Sequence, residues 1–453
     1  MASKKDLVEG QAFSRRRLIT AFVSGAPGGR EVEPGKPLRA VVGGVVLSAI
    51  LVVGALAAGL LAPTLPDGWD QGSLVIAKDT GARYVALDGT LYPVVNTASA
   101  RLLIPSGFKV VSADADKLTG SKRGPTLGIN GAPDALPGPD DLVDTGWTAC
   151  TNATGGLETS IRRAADAVAT TDKGVIATVT TGTGVTTYLL DSGTRYTVPP
   201  ELVTPLKRAL RLDTAPDFAV SAPFVNLFGA GPAIGPFTVP GAGTSLAGVD
   251  GLPNGARIGS IVEDSGNPGR PYLLLDGGAI APLTPFAQAM YRIGAEAGAA
   301  DALGVSGSVF AGLGRADAVW PQAWPTEVPA PLGGTPCALL TAGTGGTKPA
   351  VALAVSDRVP TATTRTTVVD PGAGALVRAI GAASLTNGPV FLVDQTGVAF
   401  PVEGTSEENP IVKLGYADTD IVPVPQAWVA LLDTGKTLSV TAASTVIASA
   451  NGR

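Results

Sequence analysis

A single uncharged apolar run, residues 40–62, constrains this chain more than any other feature. It reads AVVGGVVLSAILVVGALAAGLLA. At 1.5 Å per helical residue it is long enough to cross a hydrocarbon core of about 30 Å. A secretory signal would be shorter, about 7–15 apolar residues close to the N-terminus. A soluble core helix of this length would show a polar face. The run is therefore predicted to be an uncleaved membrane anchor.

Its flanks set the orientation. Residues 1–39 carry eight basic side chains, among them Arg15, Arg16 and Arg17, against four acidic ones; residues 63–82 carry only Lys78. Lys and Arg stay on the cytoplasmic side of short flanks. The expected arrangement is a cytosolic basic segment (1–39), a transmembrane helix (40–62) and a periplasmic domain (63–453), in a single-pass protein of the inner (plasma) membrane. A short amphipathic helix is expected within residues 1–39, with Phe13, Arg15, Arg16 and Arg17 serving lipid-headgroup contact, orientation or docking to a cytosolic partner. Small-xxx-small spacings within the span, such as Gly54 to Ala58, permit close helix contacts.

The exported part holds 25 basic and 34 acidic residues, near −9. That balance suits neither a nucleic-acid surface nor an anionic lipid face. The chain has no histidine, which excludes Ser–His–Asp triads and His-containing zinc sites. Gly and Pro are abundant, aromatics are few, and Val and Thr recur, a composition of short strands and tight turns.

An internal repeat organises the exported part. Four segments share an aromatic-led apolar run, an Asp-centred turn and a proline: YVALDGTLYP from Tyr84, YLLDSGTRYTVP from Tyr188, YLLLDGGAIAP from Tyr272 and FLVDQTGVAFP from Phe391. Each reads as a β-hairpin, often followed by a helix. Asp88, Asp191, Asp276 and Asp394 stand at what looks like one place in each turn. Their expected role is to accept hydrogen bonds from the turn backbone. The repeats are placed at about 70–105, 183–215, 256–297 and 386–440, with a central β-domain from about 106–182 and 298–385.

Cys150 lies 66 residues after Tyr84, and Cys337 lies 65 after Tyr272. The matched offsets suggest two halves. In an exported chain two cysteines most simply form one disulfide, here near a pseudo-two-fold axis. By chain entropy its closure of a long loop contributes on the order of 4–5 kcal/mol. The fold class expected is α+β, β-rich: one N-terminal transmembrane helix, then an elongated ectodomain of four hairpin/helix repeats about a central β-domain.

Several segments resemble EccB, the single-span core component of actinobacterial type VII (ESX) secretion systems. Residues 83–103, RYVALDGTLYPVVNTASARLL, resemble that family's first repeat. Residues 122–137, KRGPTLGINGAPDALP, resemble its RGP-x-LGI-x-GAP segment, and VPVPQAW at 422–428 its C-terminal proline-rich stretch. QAFSRRRLITA at 11–21 resembles the cytosolic helix, with a different opening. The resemblance implies an elongated periplasmic body with a disulfide-linked central domain. It implies partners too: the other ESX core components, including an FtsK-like motor ATPase, in a large multimeric complex exporting WXG100-type proteins. No cofactor is implied.

The one GK[ST] triplet is Gly435, Lys436 and Thr437. A phosphate-binding loop requires glycine at 430, where Ala430 stands, and a helix afterwards; TLSVTA reads as a strand. No catalytic or metal site is expected. The function expected is a structural core subunit of a secretion complex, and the alternatives are a periplasmic nucleotide hydrolase (ATPase) or a cell-wall-binding module.

Overall fold

The computed structural model describes residues 3–24, 37–60, 68–105, 107–182, 184–294, 301–343, 347–361, 363–381 and 384–447. It divides into two bodies, Met1–Pro66 and Asp67–Arg453.

The first body holds α1 (Lys4–Ser24) and α2 (Pro37–Leu60). At 24 residues, α2 is about 36 Å long, and within it Leu38–Ala55 is long and apolar enough to cross a membrane. Leu61 and Ala62, the end of the expected span, lie outside the described residues. The short amphipathic helix expected within residues 1–39 is 21 residues long and only weakly two-sided. Successive helical residues turn by 100°, so Arg15, Arg16 and Arg17 fan around α1 rather than sharing a face. Phe13 and Phe22, nine residues apart, project from opposite sides and are 50% and 92% exposed.

The second body is built from four copies of one supersecondary unit and a central sheet. Unit 1 contains β1 (Ser73–Ala77), β2 (Arg83–Leu87), β3 (Thr90–Pro93), α3 (Thr97–Leu103), β4 (Lys109–Ala113) and β5 (Lys122–Arg123). The central strands β6 (Trp147–Thr151), β7 (Leu157–Ile161) and β8 (Val168–Ala169) follow. Unit 2 contains β9 (Lys173–Thr181), β10 (Gly184–Asp191), β11 (Thr194–Val198), α4 (Val203–Ala209), β12 (Phe218–Ala219), α5 (Ala222–Val225) and β13 (Gly229–Ala230). Unit 3 contains β14 (Ile261–Asp264), β15 (Tyr272–Leu274), β16 (Ala279–Pro282), α6 (Pro285–Gly294), β17 (Leu303–Val305), α7 (Gly307–Gly312) and β18 (Gly314–Arg315). After β19 (Ala330–Pro331) come the central strands β20 (Thr335–Thr341), β21 (Ala350–Ser356) and β22 (Arg365–Val369). Unit 4 contains β23 (Ala375–Ile380), β24 (Val390–Val393), β25 (Val398–Val402), α8 (Pro410–Leu414), β26 (Val422–Pro425), α9 (Gln426–Val429) and β27 (Asp433–Thr434), and α10 (Val440–Ala443) is the last described helix.

All four unit sheets share one strand order: fourth, first, second, third, fifth, as in β4-β1-β2-β3-β5. The first three strands form an antiparallel meander, and the outer two pair in parallel after helical crossovers. Each unit therefore adds a strand before the hairpin and two after it; β1, β14, β26 and β27 fall within the repeat limits expected from sequence, whereas β4, β5, β9, β12, β13, β17, β18 and β23 lie outside them. The outer strands escape a sequence reading because they are short, and no hairpin turn flags a parallel crossover.

The central sheet runs β22-β7-β6-β20-β21-β8. Its middle pair is antiparallel, with Cys150 directly opposite Cys337, and the two are joined by a disulfide. The third strand of each half crosses over: β8 pairs with β21, and β22 with β7. Trp147, Phe224 and Trp428 share the core that ties units 2 and 4 to this sheet. Units 2 and 3 share a second core around Leu206, Phe286 and Met290. Units 1 and 4 share a third around Leu102, Phe400 and Leu414.

Candidate functional site

The four turn aspartates do not hold one position. Asp88 and Asp276 lie within their loops, whereas Asp191 and Asp394 sit on the strand pair that closes the hairpin. Units 1 and 3 thus match each other, as do units 2 and 4, the pattern of a duplicated half. Asp88 has φ 47° and is followed by Gly89 at 71°, the backbone of a two-residue type I′ turn. Asp276 accepts from Gly277 N at 2.9 Å. Asp191 accepts from the Ser192 hydroxyl at 3.2 Å; burial raises its carboxyl above the ordinary value, against the pull of Ser192. Asp394 Oδ1 accepts from Thr396 N, Thr396 Oγ1 and Val398 N at 3.0, 2.6 and 3.1 Å. Among the described residues no three acidic or cysteine side chains cluster as metal ligands would.

The turns of units 2 and 4 have a further duty. The amide of Leu353 on β21 donates to Ser192 O. Gly397 lies so close to Thr367 on β22 that a Cβ there would fall 2.6 Å from its Cγ2. These two turns therefore dock on central strands belonging to the second half.

The glycine of the GKT triplet has a packing explanation. A Cβ on Gly435 would lie 3.0 Å from Phe400 Cγ and closer still to the ring edge. The same contact recurs between Gly124 and Tyr92 and between Gly231 and Tyr196. In each unit this residue donates its amide to the third strand one residue before the aromatic. Unit 3 has Ala316 and Ala281 at the two positions. Large ring goes with glycine, and small side chain with alanine. The strand expected after Thr437 is corrected: Leu438 makes one parallel bridge to Val402, and Val440–Ala443 is a single helical turn capped by Ser439. The helix starts too late to present its amides to a phosphate beside Lys436.

Lys436 nonetheless lines a cleft of about 430 Å³ with Asp394, Thr396, Thr434 and the 130–133 loop. That loop follows unit 1 and is fastened firmly. Ile129 N donates to Ser99 Oγ at 2.9 Å, and Asn96 Nδ2 donates to Ile129 O at 2.8 Å. Asp134 pairs with Arg83 and accepts from Thr97 N and Oγ1 at 3.0 and 3.1 Å. Partial burial alone would raise the Asp134 carboxyl; the Arg83 and Thr97 bonds outweigh it and hold the group below its ordinary value. From unit 4, the Tyr416 hydroxyl donates to Pro137 O at 2.9 Å.

Units 1 and 4 also clasp each other's helix ends. Arg101 on α3 donates to Leu414 O at the end of α8 at 2.7 Å, and Lys413 on α8 donates to Ile104 O, just past α3, at 2.8 Å. Helix C-termini leave unpaired carbonyls that basic side chains satisfy well. Sequence reasoning did not single out this pair, because the two residues lie 312 apart.

At the central sheet, Glu158 stands opposite Cys150 in the ladder and pairs with Arg358 of the other half. Asp370 of that half faces Arg162 in return. Ion pairs therefore cross between the halves beside the disulfide.

The whole chain fits one family. Residues 1–449 match the family described as type VII secretion system ESX-1, transport TM domain B. The ESX-2 secretion system ATPase EccB2 of Mycobacterium tuberculosis (strain ATCC 25618 / H37Rv) is 30% identical over 321 residues, covering 66% of this chain and 60% of that relative. The ESX-3 secretion system ATPase EccB3 of Mycolicibacterium smegmatis is 25% identical over 439 residues, covering 89% and 83%. Among solved structures, the EccB3 dimer from the ESX-3 core complex superposes with TM-score 0.66 at 22% identity, covering 82% of this chain and 99% of that one. A chain of the intact ESX-5 inner membrane complex gives 0.64 at 21%, covering 100% and 97%. The fold is therefore shared with both.

Proposed function

The chain belongs to the type VII secretion EccB family, and on that premise we propose that it is a structural core subunit of a type VII secretion membrane complex. The observation that carries this reading is the match over residues 1–449, which takes in both bodies. In this reading α2 anchors the protein in the inner membrane. The basic asymmetry of its flanks supports a cytoplasmic α1 and a periplasmic Asp67–Arg453. Structural neighbours occur as a dimer and within an inner membrane complex; this chain is assigned the same kind of assembly, with the other core components and an FtsK-like motor ATPase as partners. Phe13, Arg15, Arg16 and Arg17 are assigned to cytosolic docking and headgroup contact. The four units and the cross-linked central sheet form the rigid part that the chain contributes.

Native-membrane affinity purification followed by blue-native gels tests this. The full chain should migrate in one large assembly with other membrane components of the secretion system. Recovery of the chain alone, with export unaffected by its deletion, refutes the reading.

A second reading, nucleotide hydrolysis, rests on the word ATPase in the relatives' names. Gly435, Lys436 and Thr437 do not form a phosphate-binding loop. Purified full chain that hydrolyses ATP, and loses the activity on a single Asp or Glu substitution, would favour it.

A further inference from the structure

We infer that the cleft between the 130–133 loop and unit 4 is a binding site for a short peptide carrying both a free amine and a free carboxylate. The four units act as internal controls for this assignment. Residues needed only for the fold recur at equivalent positions, as the aromatic–glycine pair does in three units. Lys436 does not recur. The residue following the packed glycine or alanine is Pro125 in unit 1, Pro232 in unit 2, Asp317 in unit 3 and Lys436 in unit 4. The unit therefore folds without an ammonium there.

The position of Asp394 is filled by Leu87, Asp191 and Leu275 in the other units. Only unit 4 combines a carboxylate and an ammonium, and its cleft is walled by the loop from the first half. Asp394 is 6% exposed, yet its turn uses one oxygen: Oδ1 takes all three bonds. Among the described residues Oδ2 makes no hydrogen bond, and neither does the exposed Lys436 ammonium; both are open to solvent in the cleft. The two charges line one cleft and do not pair with each other.

A ligand amine would pair with Oδ2, and a ligand carboxylate with Lys436 Nζ. The hydroxyls of Thr396 and Thr434 and the amide of Asn130 lie in the same cleft, where they can meet the peptide groups between the two charges. A ligand with only one charge would pair with one of these groups and leave the other to water, gaining one charge-assisted contact in place of two. A nucleotide has no cationic amine to neutralise Asp394, and its phosphates would be repelled by it.

The test uses the full chain in lipid nanodiscs, with saturation-transfer NMR and three probes: alanyl-alanine, N-acetyl-alanyl-alanine and alanyl-alanine amide. The zwitterion should bind, and loss of either charge should weaken it about tenfold. Lys436→Ala should cause a similar loss toward the zwitterion and the acetylated probe. Asp394→Asn keeps an acceptor for the turn while removing the charge; it should abolish discrimination against the acetylated probe. Equal binding of all three probes, or unchanged binding by Lys436→Ala, overturns the assignment. So does absence of alanyl-alanine binding up to about 10 mM, or an experimental structure in which Lys436 Nζ is bonded to Asp394 Oδ2.

Discussion

Gly435 offers a sharp test, because packing and phosphate binding predict different behaviour for it. In Gly435→Ala the new Cβ falls 3.0 Å from Phe400 Cγ and closer to Cδ1 and Cε1. The ring cannot retreat freely, since Phe400 is 3% exposed and belongs to the core shared by units 1 and 4. Forcing a methyl group into such a site costs about 1–3 kcal/mol. Phe400→Ala alone costs about 3–5 kcal/mol. Together they recreate the alanine pair of unit 3, and the clash disappears. Gly435 does not have a left-handed φ, so alanine fits its backbone and restricts the unfolded chain. In the Phe400→Ala background Gly435→Ala should therefore stabilise, by about 0.4–1 kcal/mol. The sign of the substitution reverses, and the coupling is about 1.5–4 kcal/mol. Hydrogen exchange at the β25 and β27 amides measures this locally, so the whole body need not unfold in one step. A glycine required for close approach of a ligand would show no dependence on Phe400. Were Gly435→Ala equally costly in both backgrounds, the packing explanation would fail.

Four other outcomes are expected. Peptide mapping without reductant should find Cys150 linked to Cys337, and replacing both with Ala should lower stability by up to about 4–5 kcal/mol, read as a fall in melting temperature. Arg101→Ala removes both the bond to Leu414 O and the stacking over Phe108 at 4.6 Å; it should cost about 1–3 kcal/mol and speed exchange at the end of α8. Because burial raises the Asp191 carboxyl, its ionisation opposes folding. The protonated group is not penalised at low pH, and the cost enters as pH rises through its folded-state value. Asp191→Asn should then stabilise at pH 7, with the gain vanishing below the ordinary value of 3.8; a gain independent of pH in thermal melts would contradict this. Finally, Arg15, Arg16 and Arg17 replaced together by Glu should stop incorporation into the membrane complex on blue-native gels, while Lys436→Ala should leave the size of that complex unchanged.

The hairpins were legible because each carries its own punctuation. Asp88 with Gly89, and Ser192 with Gly193, announce tight turns between apolar runs. The outer strands were not: Gly229 and Ala230 form a strand only because β11 is there to pair with. The equivalence of the four aspartates was half right in sequence, since an alignment by residue type cannot see that Asp191 and Asp394 close a ladder while Asp88 and Asp276 cap a loop. The cysteine pair was legible from spacing. The clasp of Arg101 and Lys413 was not, because neither residue departs from an ordinary helix surface until the two helices meet. Lys436 stood out only as part of a failed motif, and it took the repeats to show that the fold does not need it.

The crossing of β8 and β22 also fixes an order of events during biosynthesis. Leu157 on β7 waits for Arg365, 208 residues later, before that side of the strand is paired. At about 5–20 residues per second the interval is about 10–40 s. Throughout it the first half presents an open strand edge of the kind that invites pairing with other chains. The two halves therefore cannot mature independently, although each carries two complete units. A chain interrupted just before β22 would keep units 1, 2 and 3 and still expose β7, which makes truncated products natural substrates for quality-control proteases and a source of aggregation until β22 arrives.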